Sequence, residues 1–402
     1  MKLRFSKSLM VASAGALLAV GVPLASMSSS GAASKPTFVI GVEGPFSGSD
    51  AEFGTYDFGG AELAVNTANA SGKDAFTLKL EKFDDQGSPT VAPAEAQKAV
   101  ATKGLVAIIG PAFSGASEAA YKYYHAAHVA EVSPSATAVA LAKTGGSFFR
   151  DVADDSVQGK ADADYLVNVK GVKNLLVIND ESFYGAGLAA VVATDAQALG
   201  ATVTKESIPA TANGGSGTTT EYGPDATQIV STNPGGIFYG GYDPDFALLL
   251  AALANDGYDA SAHPIMSGDG SNDTNLITET NPNSAANGVY LSESAAGKVS
   301  YFTGALAKAY TKLTKIKAST AIYAAQSYDG INAIIKALQK TNLSGSLTSI
   351  RKSVVSELHK VSFVGVTGPI AFQANGNLKD DTGSVQVSEV ENGVITLVKT
   401  EN

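Results

Sequence analysis

The stretch LVAIIGPAFSGASEAAYKYYHAAHVAEVSPSA, residues 105–136, contains one complete strand–helix–strand unit. LVAIIG is an apolar run of strand length, SGASEAAYKYYHAAH is typical of a helix, and AEVSPSA is a short strand that ends in a turn. Strands that alternate with helices are the building unit of parallel sheets covered by helices on both faces. This stretch therefore predicts an α/β fold.

The same alternation extends in both directions along the chain. FVIGVEG and FTLKLEKFDD precede the opening stretch as strands, and each is followed by a helical pattern. The alternation begins again at about residue 155, where NLLVIND, GGIFYGGY and PIMSGDG are the strands. Two α/β units of similar size predict two Rossmann-like lobes with a cleft between them. The last segment, VQVSEVENGVITLVKT, alternates and breaks at Glu391-Asn392-Gly393, which predicts a hairpin.

The composition excludes several classes of function. The 402 residues include no cysteine, so a disulfide framework, a thiolate nucleophile and a lipid-modified cysteine are all excluded. The net charge is −10, and the only arginines are Arg4, Arg150 and Arg351. A nucleic-acid partner requires clustered basic residues. We therefore expect no nucleic-acid binding.

The first 34 residues have the pattern of a secretory signal peptide. MKLRFSKSLM is positively charged, LMVASAGALLAVGVPLA is apolar, and SMSSSGAAS supplies small residues for cleavage. We predict that residues 1–34 are removed. The mature protein is then expected in the periplasm or secreted, without membrane insertion.

The loops that follow the predicted strands hold the candidate binding residues, because ligands of open α/β sheets bind beyond the carboxyl ends of the strands. Ser114 starts a predicted helix, and Ser135, Ala136 and Thr137 follow another strand. Helix N-termini offer free N–H groups and a partial positive charge, which suits a carboxylate without any arginine. Each hydroxyl taken alone also fits ordinary helix capping.

Asp269 lies after a strand of the second unit and could pair with a ligand ammonium, or simply stabilise a turn. Its spacing to Ser271 and Asp273 resembles the start of a calcium loop. Thr274 and Thr280 stand where such a loop has glycine and glutamate, so no metal site is predicted.

Aromatic residues also occur in the strand-end loops. Phe53, Tyr184 and Tyr242 could wall an apolar ligand side chain or could pack in the core. No catalytic motif such as GxSxG, HExxH or a P-loop occurs. We therefore predict neither an enzyme nor a cofactor, and a secreted hydrolase is kept only as an alternative.

The chain resembles the branched-chain amino acid (Leu/Ile/Val) binding proteins of ABC transporters, which are type I periplasmic binding proteins. The segments that carry this resemblance are GPFSGSDAEFGTYDFGGAELAV, FDDQGSP, PSATA, FYGAG, YGGYDPD and TGPIAF. The resemblance implies two lobes joined by a three-strand hinge. It also implies that the closed form delivers its ligand to a membrane permease.

The resemblance further implies roles for individual residues. Ser114 and Thr137 would hold the ligand carboxylate, and the Ser135 carbonyl would accept the ammonium. Tyr184 and Tyr242 would close over the ligand. Three more residues have roles by resemblance. Asp269 would bind the ammonium at a position where the family commonly has glutamate, and Phe53 stands where the family often has tyrosine. Tyr323 would line the pocket for the ligand side chain. Gln86 and Phe113 stand near the places of the family's missing disulfide.

These inferences lead to a specific prediction. Residues 36–155 and 292–365 form one lobe, and residues 156–291 and 366–402 form the other, with crossings near 155, 290 and 366. The protein is expected to be a monomer that captures an amino acid, branched-chain or otherwise aliphatic. Two alternatives remain open: a binder of an amide, urea or aromatic acid on the same fold, and a subunit that reports its ligand to a sensory receptor.

Overall fold

The computed structural model describes residues 35–143, 145–211, 219–294, 302–379 and 385–401. The predicted signal peptide, residues 1–34, lies outside the described residues. No described helix combines the length and the apolar character that crossing a membrane requires.

The first lobe begins with five strands that alternate with helices. In chain order the elements are β1 (Thr37–Gly44), α1 (Ala51–Ser71), β2 (Thr77–Asp84), α2 (Ala92–Ala101), β3 (Leu105–Ile109), α3 (Ser114–Ala126), β4 (Ala130–Ser133) and β5 (Phe148–Arg150). The strands form one parallel sheet in the order β2-β1-β3-β4-β5. All five residues of β3 are buried, as expected for a central strand covered on both faces.

The second lobe repeats this alternation. Its elements are α4 (Asp155–Asp164), β6 (Asn174–Asn179), α5 (Phe183–Ala198), β7 (Thr202–Ser207), α6 (Thr219–Thr232), β8 (Gly236–Gly240), α7 (Asp243–Asn255), β9 (Ile265–Ser267), α8 (Thr274–Glu279) and β10 (Val289–Ser294). A π-helical turn, Tyr165–Val169, extends α4. The predicted α/β class with two lobes is confirmed.

The rest of the chain contributes to both lobes. Its elements are α9 (Gly304–Thr314), α10 (Ala324–Lys340), α11 (Leu347–Leu358), β11 (Ser362–Val364), β12 (Pro369–Ala371), β13 (Val385–Glu391) and β14 (Val394–Glu401). Helix α10 packs on α1 in the first lobe, whereas β13 and β14 complete the second sheet in the order β14-β13-β10-β9-β8-β6-β7. The predicted hairpin is confirmed: β13 and β14 are antiparallel, and Asn392 and Gly393 both have positive φ.

Each lobe has apolar clusters on the two faces of its sheet. In the first lobe, one cluster joins the sheet to α10 and α11, and the other joins it to α2, α3 and α9. In the second lobe, α6 and α7 cover one face and α4 and α5 the other. These layers fix the strand ends of both sheets, and thereby position the loops that follow the strands.

The structure differs from the predicted division of the chain in two places. Strand β10 belongs to the second sheet through Ser294, although the first lobe was predicted to resume at residue 292. Ile370, Phe372 and Leu378 belong to the core of the first lobe, although the second lobe was predicted to resume at residue 366. The third crossing therefore follows residue 378, because these apolar side chains are anchored in the first core.

Candidate functional site

Loops from both lobes enclose a small cavity beyond the carboxyl ends of the two sheets. The residues that line it are Phe53, Ala112, Phe113, Ser114, Ser135, Tyr184, Tyr242, Asp269, Gly270 and Tyr323. Seven of the nine predicted site residues are in this set. Ala136 and Thr137 are not, and both are buried. Whether these residues bind a ligand stays a prediction.

The hydroxyls of the first lobe are engaged with the backbone of neighbouring loops. Ser135 Oγ donates to the carbonyl oxygen of Ala112 at 2.7 Å. Ser114, the first residue of α3, accepts the N–H of Ala138 at 3.2 Å, which leaves its own proton free to be donated to a ligand. Ser114 therefore offers one hydroxyl donor beside the N–H groups of the first turn of α3, a favourable site for an anionic oxygen.

Arg150, at the end of β5, supports this loop from behind. Its side chain is fully buried, and Nη1 donates to the carbonyl oxygens of Ala136 at 3.1 Å and Ala138 at 2.8 Å. Nη2 lies 3.5 Å from Oδ2 of Asp154. No role was predicted for Arg150 from the sequence. The available signal was an arginine directly after the apolar pair Phe148-Phe149, a position where a charge is buried and needs partners.

Asp269 lies on the second-lobe side of the cavity and is almost fully buried. The Tyr184 hydroxyl donates to Oδ1 at 2.7 Å, and the Tyr323 hydroxyl donates to Oδ2. Burial raises the pKa of Asp269, and the two tyrosine hydrogen bonds oppose that increase. Tyr323 belongs to the first lobe, so this carboxylate also joins the two lobes.

Tyr323 adopts a backbone conformation that is uncommon for residues other than glycine. Its φ of 63° lies in the left-handed region, directly before α10 begins at Ala324. This conformation costs free energy, of order 1–3 kcal/mol, and persists where surrounding contacts determine it. Here the surrounding contacts are the buried apolar cluster of the first lobe and the hydrogen bond to Asp269.

Aromatic rings from both lobes meet over the cavity. Phe113 of the first lobe stacks on Tyr242 of the second, with 4.4 Å between ring centroids. Phe53 contacts Phe113 edge to face at 5.5 Å, and Tyr184 lies 5.2 Å from Tyr242. Phe113 was placed near a missing disulfide in the sequence analysis and was given no binding role. Its position directly before Ser114, in a strand-end loop, was the signal that could have identified it.

The packed aromatic rings leave little free volume in the cavity. The cavity volume is about 10 Å³, roughly the space of one water molecule. An amino acid could enter only if the lobes separate or the rings rotate. The described arrangement is therefore that of a closed cleft.

The electrostatic environment of the cavity is negative. Among the described residues no lysine, arginine or histidine lines it, and the buried Asp155 is close enough to Asp269 for their charges to interact. Burial raises the pKa of Asp155 to about 8, and the negative charge of Asp269 adds to this effect. The arrangement suits a molecule that presents a cation to Asp269 and an anion to the Ser114 side.

Nucleophilic catalysis and metal binding each require a specific arrangement of side chains. Its serines hydrogen-bond to backbone groups, and the lining residues that the structure describes include no histidine that could activate them as nucleophiles. Across the described ranges, no three histidine, cysteine, aspartate or glutamate side chains are arranged to hold a metal ion. The geometry thus favours binding by hydrogen bonds and ring contacts.

Comparisons with known proteins agree with this geometry. A family model described as periplasmic binding protein matches residues 37–393. An amino acid binding protein of Pseudomonas aeruginosa is 31% identical over 234 residues, which is 58% of this chain and 60% of that relative. The leucine-, isoleucine-, valine-, threonine- and alanine-binding protein of the same organism is 25% identical over 346 residues, which is 86% of this chain and 88% of that protein. This chain thus spans less than two thirds of the first relative and most of the second.

A solved structure extends the comparison to three dimensions. The branched-chain amino acid transporter substrate binding protein LivJ of Streptococcus pneumoniae, in complex with isoleucine, is 26% identical, with a TM-score of 0.75. The superposition covers 90% of this chain and 99% of that chain.

Proposed function

Because the chain belongs to the periplasmic binding protein family, we propose that it captures an α-amino acid with an aliphatic side chain between its two lobes. The observation that carries this proposal is the pairing of a buried carboxylate, Asp269, with the neutral donors around Ser114 on the opposite wall. A zwitterion has no net charge. One acid and a set of neutral donors can therefore satisfy it without a basic residue.

The proposed roles follow from hydrogen-bonding capacity. The ligand carboxylate would accept hydrogen bonds from the Ser114 hydroxyl and from N–H groups in the first turn of α3. The ligand ammonium would donate to Asp269, which already accepts hydrogen bonds from Tyr184 and Tyr323 and has Gln158 as a third partner, out of about four lone-pair positions on a carboxylate. The Ser135 carbonyl is a second acceptor for the ammonium.

The aromatic rings would contact the ligand side chain. Phe53, Phe113 and Tyr242 offer apolar faces, and burial of a leucine-sized side chain stabilises a complex by about 1.5–3 kcal/mol. Ala136 and Thr137, which the cavity excludes, would act indirectly by holding the loop of Ser135. Capture would begin with the lobes apart and end with the closed cleft.

The relatives suggest where the captured ligand goes. The solved relative is described as a transporter substrate binding protein. By analogy, we infer that the closed form presents the amino acid to a membrane permease of an ABC transporter, outside the cytoplasm. A sensory receptor could recognise the same closed form.

Isothermal titration of unfolded and refolded, ligand-free protein tests the proposal. We expect saturable binding of leucine, isoleucine or valine at about micromolar Kd or below. Asp269→Asn should weaken binding about 100-fold, since loss of a buried charge partner costs about 2–5 kcal/mol. Asp256→Asn, which changes an exposed carboxylate after α7, should leave binding unchanged.

Two results would overturn the amino acid assignment. One is the absence of heat with any amino acid. The other is binding of an amide, urea or aromatic acid that persists in the Asp269→Asn protein, because a ligand without an ammonium does not need that charge. Mass spectrometry of small molecules that remain bound through purification would identify such a ligand.

A further inference from the structure

Two tyrosines of the first lobe donate hydrogen bonds across the cleft to two aspartates of one second-lobe segment. The Tyr323 hydroxyl donates to Asp269, which lines the small cavity. The Tyr56 hydroxyl donates to Oδ2 of Asp273 at 3.1 Å, and both of these side chains are buried. Neither Tyr56 nor Asp273 belongs to the described lining of the small cavity. The second hydrogen bond therefore joins the lobes away from the proposed ligand.

The first-lobe end of this bond is packed into a core. Tyr56 lies on α1 and belongs to the apolar cluster that joins the first sheet to α2, α3 and α9. Its ring centroid lies 6.5 Å from that of Phe53, and its carbonyl oxygen accepts the Tyr310 hydroxyl at 3.5 Å. Glu52, one turn earlier on α1, hydrogen-bonds with the side chain of Asn275 in the second lobe. Helix α1 therefore contacts the start of α8 at two points.

The second-lobe end of the bond is fixed by a helix cap. Asp273 directly precedes α8, and its Oδ1 accepts the N–H of Asn275 at 2.8 Å. The next residues of this helix, Leu276 and Ile277, are buried in the core that covers one face of the second sheet. Each partner of the Tyr56–Asp273 bond is thus attached to the core of a different lobe. The bond therefore requires the relative placement of the lobes that closes the cleft.

Separation of the lobes would break this bond and expose both groups to water. Water would then bind the hydroxyl and the carboxylate, so the net effect is that of exchanging one hydrogen bond for another. Such an exchange would shift the ratio of closed to open molecules by about threefold to tenfold. A ligand that is held only between closed lobes gains the same factor in affinity when the open form predominates.

We propose that Tyr56 and Asp273 form an interlobe latch, which stabilises the closed cleft and thereby raises the affinity for the ligand without contacting it. Tyr56 is then a positioning residue for binding. The proposal rests on the lobe closure that the proposed function requires, and not on the identity of the ligand. Because the latch forms as the lobes close over a ligand, it should slow dissociation more than it changes association.

The chain offers a reporter of closure that needs no ligand. A Cβ added to Gly115, in the first turn of α3, would lie 3.7 Å from the Cβ of Phe183, the first residue of α5 in the second lobe. Disulfides join residues whose Cβ atoms lie about 3.5–4.5 Å apart. The chain has no cysteine of its own. The double variant Gly115→Cys/Phe183→Cys should therefore form one intramolecular disulfide, and form it in closed molecules.

Equilibration of this double variant with reduced and oxidised glutathione, without ligand, measures the effective concentration of its two thiols. That concentration rises with the closed fraction. Adding Tyr56→Phe, which removes the hydroxyl and keeps the ring, should lower it by about threefold to tenfold. Tyr124→Phe is the matched control, because the Tyr124 hydroxyl donates to the buried carboxylate of Glu43 within the first lobe. This control should leave the effective concentration unchanged.

A second variant tests the acceptor of the latch. Asparagine caps helices about as well as aspartate does, so Asp273→Asn should preserve the start of α8. The neutral amide accepts a weaker hydrogen bond than the carboxylate. Tyr56→Phe should therefore have a smaller effect on the effective concentration in an Asp273→Asn background than in the parent, because both substitutions act on the same bond. Additive effects would contradict the pairing.

Two further outcomes would overturn the proposal: an unchanged effective concentration in Tyr56→Phe, or a fall of equal size in Tyr124→Phe. Stopped-flow measurements with leucine, on the chain without added cysteines, separate the latch from the proposed function. Tyr56→Phe should raise koff for leucine and leave kon within about twofold. Latch behaviour in the thiol assay without leucine binding contradicts only the amino acid assignment. Leucine binding with an unchanged effective concentration contradicts only the latch.

Discussion

Replacing Asp155 with asparagine should stabilise the protein at neutral pH and leave it almost unchanged in acid. Asp155 is the first residue of α4 and is fully buried, and its N–H donates to the carbonyl oxygen of Thr137 at 2.9 Å. Its pKa rises from 3.8 to about 8, mainly through burial and then through the charge of Asp269. A separate hydrogen bond between the Asp155 carboxylate and the Thr137 side chain, together with the positive charge of Arg150, opposes the increase only in part.

The sign and the magnitude follow from proton linkage. The folded state binds the Asp155 proton more tightly than the unfolded state, so the contribution to stability is complete below about pH 4 and is lost as the pH rises towards 8. A pH of 7 is about 3 units above the pKa of the Asp155 carboxyl in the unfolded protein. At about 1.36 kcal/mol per unit, the free energy of unfolding is lower at pH 7 than in acid by about 4 kcal/mol. Asparagine does not titrate, so the variant avoids this loss.

Urea unfolding at about pH 4 and about pH 7 measures the effect. The Asp155→Asn protein should gain up to about 4 kcal/mol over the parent at the higher pH and little at the lower. The exposed-site variant Glu81→Gln should show no such difference between the two pH values. A gain of equal size at both pH values, or a variant less stable at pH 7 than the parent, would refute the assignment of a buried proton to Asp155.

Two packing predictions can be checked by the same unfolding measurements. Arg150→Ala should lower the free energy of unfolding by about 3–5 kcal/mol, because it leaves the buried Asp154 carboxylate without its cation. A loss below about 1 kcal/mol, the value of a surface ion pair, would contradict this prediction. Gly60→Ala should cost about 1–3 kcal/mol, since its Cβ would lie 1.9 Å from the carbonyl oxygen of Ala324. Gly187→Ala is the matched control within helix α5, where the added Cβ would meet only Oδ2 of Asp155, at an ordinary contact distance of 3.6 Å, and it should stabilise by about 0.5–1 kcal/mol. Equal effects of the two glycine substitutions would show that helix propensity, and not the backbone contact, decides the outcome.

The sequence could predict the site residues that lie in loops directly after strands. Parallel strands place their carboxyl ends on one edge of a sheet, so any loop that follows a strand lies near the others. Ser114, Ser135, Tyr242 and Asp269 follow β3, β4, β8 and β9, and all four line the small cavity between the lobes. Periodicity locates such loops, because it depends on local chain direction and burial alone.

The direction of each side chain within a loop was not predictable in the same way. Thr137 is only two residues beyond Ser135, yet it is buried away from the cavity. Phe113 reaches the cavity because it stacks on Tyr242, a residue of the other lobe. Arg150 is buried against a distant segment, where its Nε donates to Oδ1 of Asn377 at 2.9 Å. Each of these placements depends on contacts between segments far apart in the sequence.

Asp269 has two roles in the proposed mechanism: it would bind the ligand ammonium, and it accepts hydrogen bonds from both lobes. The Tyr184 hydroxyl from its own lobe and the Tyr323 hydroxyl from the other lobe both donate to it, and Gln158 is a further hydrogen-bond partner, so Tyr323 is the donor that comes from across the cleft. In an open cleft, water would replace Tyr323 and solvate the carboxylate. Closure therefore replaces water at the carboxylate by the Tyr323 hydroxyl. A cation stabilises the carboxylate more strongly when it is buried than when water solvates it. If an ammonium binds Asp269 as proposed, its attraction to the carboxylate is stronger in the closed form than in the open form, and the ligand favours closure through this one side chain.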